Sequence, residues 1–256
     1  MKHAFADKYS DLDSPVHRLD PRVKAAVCLA FILCVVLAPA DGHVARFAGY
    51  LILASLAAVL SRVPVRHVLG RSLTVVPFVI VIAAFLPFLK QGHEIAGLGA
   101  GVLRLSVTDE GLKALAAVAA RSWLAALALV ILSSTTPFPK LLKGLERVRV
   151  PAVFVMLLAF MYRYLFVLVD EAERMETARR SRYFGGARSR QVHVLAGMIA
   201  LLFVRTYERA ERIYESMRAR GYDGETRTLD DLEFGRADAV AAAAFAVALG
   251  AIGLAA

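Results

Sequence analysis

Long apolar runs separated by short polar segments constrain this sequence more than any other feature. Most of these runs approach the roughly 20 residues that a helix needs to cross a bilayer. The five runs cover residues 25–38, 44–60, 72–89, 114–132 and 237–256. The chain as a whole is 58% hydrophobic, against about 45–50% for ordinary soluble domains. The sequence therefore predicts an all-α membrane protein with about five transmembrane helices.

The basic residues indicate how these helices are oriented. The formal net charge is +9, with 31 Lys and Arg residues against 22 Asp and Glu residues. Lys and Arg are concentrated in residues 1–24, 62–71 and 140–149, and are absent or offset by acids in residues 39–43 and 90–111. Because cytoplasmic loops carry an excess of Lys and Arg, this alternation predicts a multi-pass protein of the cell (inner) membrane with a cytoplasmic N-terminus. Topology then explains the basic charge, and no nucleic acid is expected as a partner.

Residues 150–169 form one further apolar run, but the charges that follow it argue against a crossing. Twelve of the 24 arginines lie in residues 170–227, and a crossing would place the first of them outside the cell. The next apolar run, residues 192–204, is too short to bring the chain back. We therefore predict two long helices, Pro151–Tyr183 and Gln191–Arg220, that lie at the cytoplasmic face without crossing. Each is apolar in its first half and charged in its second half.

These patterns divide the chain into four predicted segments. A cytoplasmic N-terminal segment precedes four transmembrane helices, and a cytoplasmic or interfacial helical module is inserted before the final span. The corresponding residues are 1–24, 25–133, 134–236 and 237–256.

The sequence contains none of the motifs expected of an enzyme or of a metal site. It has no GxxxxGK[ST] phosphate loop, its six histidines are isolated, and its two cysteines form no CxxC pair. We therefore predict a non-catalytic protein with no cofactor and no metal ligands of its own. Arg121 lies inside an apolar run, where an arginine either has a function or a partner on another helix, or extends to the outer membrane surface. The sequence leaves these alternatives open.

The two long helices end in a similar way, with a small residue followed by an arginine. The first end is Ser181-Arg182, and the second is Ala219-Arg220-Gly221. A small residue lets a helix end approach a partner surface closely, and the guanidinium offers five donors to carboxylates or carbonyls there. The alternative is that these arginines are ordinary cytoplasmic charges, some of them in contact with anionic lipid.

At these motifs the chain resembles the transmembrane T components of energy-coupling-factor (ECF) transporters, and within them the CbiQ cobalt transport family. The resemblance covers nearly the whole chain and is most specific near its end. The matching stretches are Asp13 to Lys24, Thr135-Thr136-Pro137, Arg147 to Pro151, Tyr162-Arg163-Tyr164 and Arg205 to Gly224.

The resemblance implies that two Ala-Arg-Gly motifs end two cytoplasmic coupling helices, each docking on one ATPase subunit. The second motif is intact here as Ala219-Arg220-Gly221. In the first, Ser181 replaces Ala and Tyr183 replaces Gly, while Arg182 is kept. The tight turn expected after Arg182 is then assigned to Gly185-Gly186.

The implied function is that of the scaffold and coupling subunit of an ATP-driven cobalt importer. Its implied partners are two ATP-binding-cassette ATPase subunits, a metal-binding membrane subunit resembling CbiM, and the lipid bilayer. A small accessory membrane subunit resembling CbiN is an additional candidate partner. Two alternatives stay open, namely the same role in a nickel importer and a stand-alone ion permease without an ATPase.

Overall fold

The computed structural model describes residues 9, 12–38, 44–86, 94–100, 103–147, 150–182, 188–224 and 234–254. These residues form ten helices and one two-stranded antiparallel sheet. In chain order the elements are α1 Pro15–Arg18, α2 Pro21–Leu37, α3 Val44–Leu60, α4 Val65–Leu73, α5 Val76–Ala83, β1 Glu94–Ala100, β2 Leu103–Thr108, α6 Asp109–Thr135, α7 Phe138–Arg147, α8 Ala152–Ser181, α9 Arg188–Ala219 and α10 Arg236–Leu254.

The chain divides into two compact units. Residues 4–141 and 232–256 form one, here called the bundle unit, and residues 142–231 form the other, here called the long-helix unit. The boundary between them falls within α7. The long-helix unit thus contains α8 and α9.

The core of the bundle unit forms around α6, which packs against α2, α3, α4 and α5. Leu124 and Leu127 of α6 are buried together with side chains of α2, α3 and α10. The rings of Phe31 and Tyr50 meet edge to face, with centroids 5.8 Å apart. Such a pair contributes beyond the apolar area that it buries. The all-α membrane architecture predicted from the sequence is confirmed, and the small sheet is its one addition.

Buried polar groups join the ends of α2, α6 and α10. Asp20 caps α2 by accepting a hydrogen bond from the Arg22 N–H at 2.8 Å, and its own N–H donates to Asp238 Oδ1 at 2.8 Å. The Lys24 ammonium donates to the Thr135 carbonyl at the end of α6, at 3.2 Å. Because an unpaired charge is costly to bury, these bonds fix how the three helix ends meet.

Two sequence predictions within the bundle unit need correction. The predicted helix over residues 72–89 begins earlier, at Val65, and is interrupted between α4 and α5. The break precedes Pro77, which lacks an N–H and would clash with the carbonyl four residues before it. Residues 90–111, which the charge pattern treats only as a connection between two spans, contain a β-hairpin in which Glu94–Ala100 pairs with Leu103–Thr108.

Four helical stretches among the described residues are long and apolar enough to cross a membrane. They are Val65–Ala83, Asp109–Thr135, Ala152–Ser181 and Arg236–Gly253. Ala45–Leu60 is a shorter apolar helix. By length and composition alone α8 therefore qualifies as a span, and its interfacial position stays a prediction that depends on the arginines following it.

Little of the long-helix unit is buried. Val155 is the one buried residue of α8, and the described residues of α9 include none. The first halves of both helices expose large apolar side chains, among them Phe154 and Ile199. Farther along, Glu171 of α8 pairs with Arg205 of α9 and, at 3.1 Å, with Arg174. The two helices therefore meet through an ion pair while much of their apolar surface stays uncovered.

Candidate partner-binding site: the arginine tips of α8 and α9

The end of α9, here called the second tip, consists of Ala219, Arg220 and Gly221. The Gly221 N–H donates to the Arg218 carbonyl at 3.0 Å, and the Tyr222 N–H donates to the Met217 carbonyl at 3.1 Å. This pair of bonds is the Schellman motif, which satisfies carbonyls left unpaired at a helix end. The motif turns the chain away directly after Arg220.

Gly221 makes this turn possible through its backbone conformation. Its φ is +84°, in the left-handed region where side chains with a Cβ are strained. A Cβ added to Gly221 would meet no atom within 4 Å. The requirement for glycine is therefore conformational, because there is space for a side chain.

Tyr222, the next residue, holds the second tip against α8. Its ring is half-buried, and its hydroxyl donates to the thioether sulfur of Met156. This contact connects the turn after Arg220 to the first half of α8. Sequence analysis did not identify Tyr222 as a functional residue, and its place directly after the Arg-Gly turn was the available signal.

The end of α8, here called the first tip, consists of Ser181 and Arg182 and is stabilised differently. The Arg182 N–H donates to the Arg179 carbonyl at 3.1 Å, with φ −103° and ψ 6° at Arg182. The Ser181 hydroxyl donates to the Thr177 carbonyl at 3.0 Å. Tyr183 and the predicted turn at Gly185-Gly186 lie outside the described residues.

An acidic side chain organises the arginines just before the first tip. Glu176 accepts hydrogen bonds from Arg179 at 2.7 Å and from Arg180 at 2.8 Å. These bonds lower the pKa of Glu176 from its usual 4.5 to about 2. Glu176 is therefore ionised at physiological pH and keeps both neighbouring guanidiniums occupied.

The tip arginines themselves are available for binding. Arg182 and Arg220 are exposed, and neither guanidinium has a hydrogen-bond partner among the residues that the structure describes. Each stands at the last turn of a long helix, beside a small residue that leaves room for a partner. This arrangement suits the binding of carboxylates or backbone carbonyls on another protein. The described residues include no group of His, Cys, Asp and Glu that could hold a metal ion.

The structure also explains two charged residues within the bundle unit. Arg121 donates to the Ala38 carbonyl at 2.8 Å, and its guanidinium lies 6.0 Å from the centre of the Phe47 ring. It therefore has a partner on another helix, the carboxyl end of α2. Asp238 was read as part of an apolar run, but it accepts from the N–H groups of Asp20 and Gly235. Its isolation among alanines was the signal that sequence analysis missed.

Comparison with known proteins places these features in a family. A model of the CbiQ family, described as cobalt transport protein, matches residues 13–229. The chain is 34% identical over 144 residues to the cobalt transport protein CbiQ of Rhodobacter capsulatus, covering 56% of this chain and 59% of that protein. It is 31% identical to the energy-coupling factor transporter transmembrane protein EcfT of Heliobacterium modesticaldum, over 89% of this chain and 88% of the relative.

A third relative is a longer protein. The chain is 30% identical over 215 residues to the putative fused cobalt transport protein CbiMQ of Methanocorpusculum labreanum. That match covers 82% of this chain but 35% of the relative, so the chain spans about a third of the fused protein. The family match over residues 13–229, which includes both arginine tips, shows that the chain belongs to the CbiQ family of cobalt transport proteins.

Proposed function

We propose that this chain is the transmembrane scaffold and coupling subunit of an ATP-driven ECF-type cobalt importer. The observation that carries the proposal is the pair of exposed arginine tips, Arg182 and Arg220, at the ends of two long helices. The family match and the similarity to the relatives CbiQ and EcfT support it. The chain itself performs no chemistry in this role.

Each tip docks on one of two ATP-binding-cassette ATPase subunits. Arg182 and Arg220 supply planar donors to acceptors in a surface groove, and the small residues Ser181 and Ala219 let the helix ends enter it. Closure of the ATPase pair on ATP then changes the angle between α8 and α9. Because both helices are long, a small movement at the tips becomes a larger displacement at their far ends.

The apolar first halves of α8 and α9 transmit this movement to a separate metal-binding membrane subunit. Exposed side chains such as Phe154 and Ile199 offer an apolar surface for that contact. The proposal assigns the cobalt site to that subunit, which resembles CbiM. A small accessory subunit resembling CbiN is a further candidate member of the complex.

The coupling role is tested by replacing both tip arginines. We expect Arg182→Ala with Arg220→Ala to abolish ATPase copurification and cobalt uptake, because truncating a buried interface arginine can cost about 2 kcal/mol or more. The matched control, Arg190→Ala with Arg218→Ala, removes the same charge from exposed positions of α9 outside both tips and should copurify normally. Membrane insertion, measured by fractionation, should be unchanged in both.

Unchanged uptake in the Arg182→Ala/Arg220→Ala chain would contradict the proposal. Ion transport by the purified chain alone in proteoliposomes would instead support a stand-alone permease. Uptake assays of the complete complex with cobalt and nickel in parallel distinguish the two metal alternatives.

We further propose that the N-terminus is cytoplasmic and that α8 does not cross the membrane. A cysteine placed at Ser189, in a chain whose Cys28 and Cys34 are replaced by Ala, tests this with a membrane-impermeant maleimide. We expect labelling only after the cells are permeabilised. Labelling of intact spheroplasts would show that α8 crosses.

A further inference from the structure

A cluster of arginines lines a cleft between α8 and α9 that extends from the second tip along both helices. Its volume is about 560 Å³, and it is here called the arginine cleft. Four arginines line it and no carboxylate does. They are Arg163, Arg209, Arg212 and Arg220.

A neighbouring cleft along the same two helices shares Arg209 and Arg212 with the arginine cleft, but it also contains carboxylates. Glu171 pairs there with Arg205. In the arginine cleft, by contrast, Arg163 and Arg209 have no partner among the described residues. Arg212 is 3.9 Å from Glu208, so that pair is loose. The arginine cleft therefore holds positive charge that the described residues do not neutralise.

The chemistry of this cluster fits a phosphate group. Guanidinium groups bind phosphate oxygens in pairs, with donors spaced to match them. Ser216 adds a hydroxyl to the lining. Uncompensated cations brought this close together repel one another, and an anion among them removes that repulsion.

The rest of the lining indicates where the phosphate comes from. Phe160 and Met217 contribute apolar surface to the cleft. Leu157, one turn before Phe160, and Met161, the residue after it, are 54% and 55% exposed. A free phosphate ion would leave this apolar surface in water, whereas the acyl chains of a lipid would cover it. Arg163 lies within the apolar half of α8. There the headgroup of an anionic lipid would pair with the guanidinium, and its acyl chains would cover the neighbouring apolar side chains.

We propose that the arginine cleft binds the phosphate headgroup of an anionic phospholipid, with the acyl chains along the exposed apolar residues of α8. Three of the four arginines of the cleft, Arg163, Arg209 and Arg212, belong to neither tip, so the proposal does not depend on ATPase docking. Arg220 belongs to both the cleft and the second tip. A bound lipid therefore places negative charge beside the arginine that docks the ATPase.

The test uses the purified full chain and native mass spectrometry in detergent. The probes are phosphatidylglycerol, phosphatidylcholine with the same acyl chains, and inorganic phosphate. We expect the native chain to prefer phosphatidylglycerol, and Arg163→Gln with Arg209→Gln to weaken its binding about thirtyfold, as the loss of two lipid-facing arginines implies. Both residues are exposed, so the substitutions should leave the fold intact.

The matched control is Arg174→Gln with Arg188→Gln, which removes two exposed arginines of the same helices outside the cleft. It should keep the preference for phosphatidylglycerol. Equal losses in the two double variants would overturn the proposal in favour of general charge attraction. Equal affinity for the two lipids, with inorganic phosphate bound, would assign the cleft to a free anion. Loss of ATPase copurification in Arg163→Gln/Arg209→Gln, with lipid binding intact, would assign the cleft to the ATPase.

Discussion

The two arginine tips are similar in sequence, but different interactions hold them in place. At the second tip the backbone makes the turn, through a glycine with φ +84° and two hydrogen bonds to the last turn of α9. At the first tip side chains provide much of the order, through Ser181 on Thr177 and Glu176 between two arginines. A tip held by backbone geometry is sensitive to substitution of its glycine. A tip held by ion pairs is sensitive to pH and salt.

The largest expected difference between the tips lies in their single arginine variants. We expect Arg220→Ala to weaken ATPase binding about thirtyfold and Arg182→Ala about fivefold to tenfold, because a preordered tip loses less entropy on docking. Titration of the purified chain with the ATPase pair measures both affinities. Arg218→Ala and Arg190→Ala, at exposed positions outside the tips, are the controls for lost charge. An equal or larger loss of ATPase affinity in Arg182→Ala would show that how well a tip is ordered before docking does not determine its affinity for the ATPase.

Gly221→Ala tests the backbone turn directly. A Cβ in the left-handed region costs about 1–2 kcal/mol, although the site has room for it. We expect faster hydrogen exchange at the Tyr222 amide and ATPase binding about tenfold weaker. Gly197→Ala is the control on the same helix, since Gly197 is also free of neighbours and lies within α9. That substitution should stabilise the helix by about 0.5–1 kcal/mol. If Gly221→Ala and Gly197→Ala had the same effect on hydrogen exchange and ATPase binding, the positive φ of Gly221 would not be what makes the turn.

Tyr222→Phe removes only the hydroxyl that contacts Met156. We expect a loss of at most about 1 kcal/mol, the usual net contribution of one hydrogen bond, and ATPase binding less than about fivefold weaker. A double-mutant cycle with Met156→Leu isolates the contact. Additive effects of the two substitutions would show that Tyr222 does not position the second tip through Met156.

The smallest effect is expected from pH, and at the first tip alone. The pKa of Glu176 is lowered from 4.5 to about 2 by its bonds to Arg179 and Arg180. Its contribution to folding is therefore fully present above pH 4.5 and is lost as the pH falls toward 2. The protection factor of the amides at the end of α8, that is, the exchange rate of an unfolded peptide at the same pH divided by the observed rate, should fall over that range, and Glu176→Gln should flatten the dependence. An equal fall at the end of α9 would contradict the assignment.

Sequence analysis succeeded where one local signal decides the structure. The first predicted span, residues 25–38, is present as α2, which begins at Pro21 with Asp20 as its cap. Gly221 was expected to release the chain after α9, and its positive φ does so. These outcomes follow from covalent geometry and from the composition of a few consecutive residues.

The sequence was less informative where distant residues cooperate. The role of Asp238 depends on Asp20, 218 positions earlier, and composition alone gave it no partner. The arginine cleft likewise requires that Arg163 and Arg209 lie on facing helices. Pro77 was a local signal for the break between α4 and α5. Because membrane helices tolerate proline, the sequence alone did not predict a break there.

The scarcity of buried residues in α8 and α9 has a consequence for how the protein persists in the cell. A unit with one buried side chain in its two long helices has little stability of its own, and so depends on what binds it. By mass action, a partner at a hundred times its dissociation constant adds about 2.7 kcal/mol. Subunit abundance would then control the lifetime of this chain, and copies made in excess of their partners would be the first to be degraded.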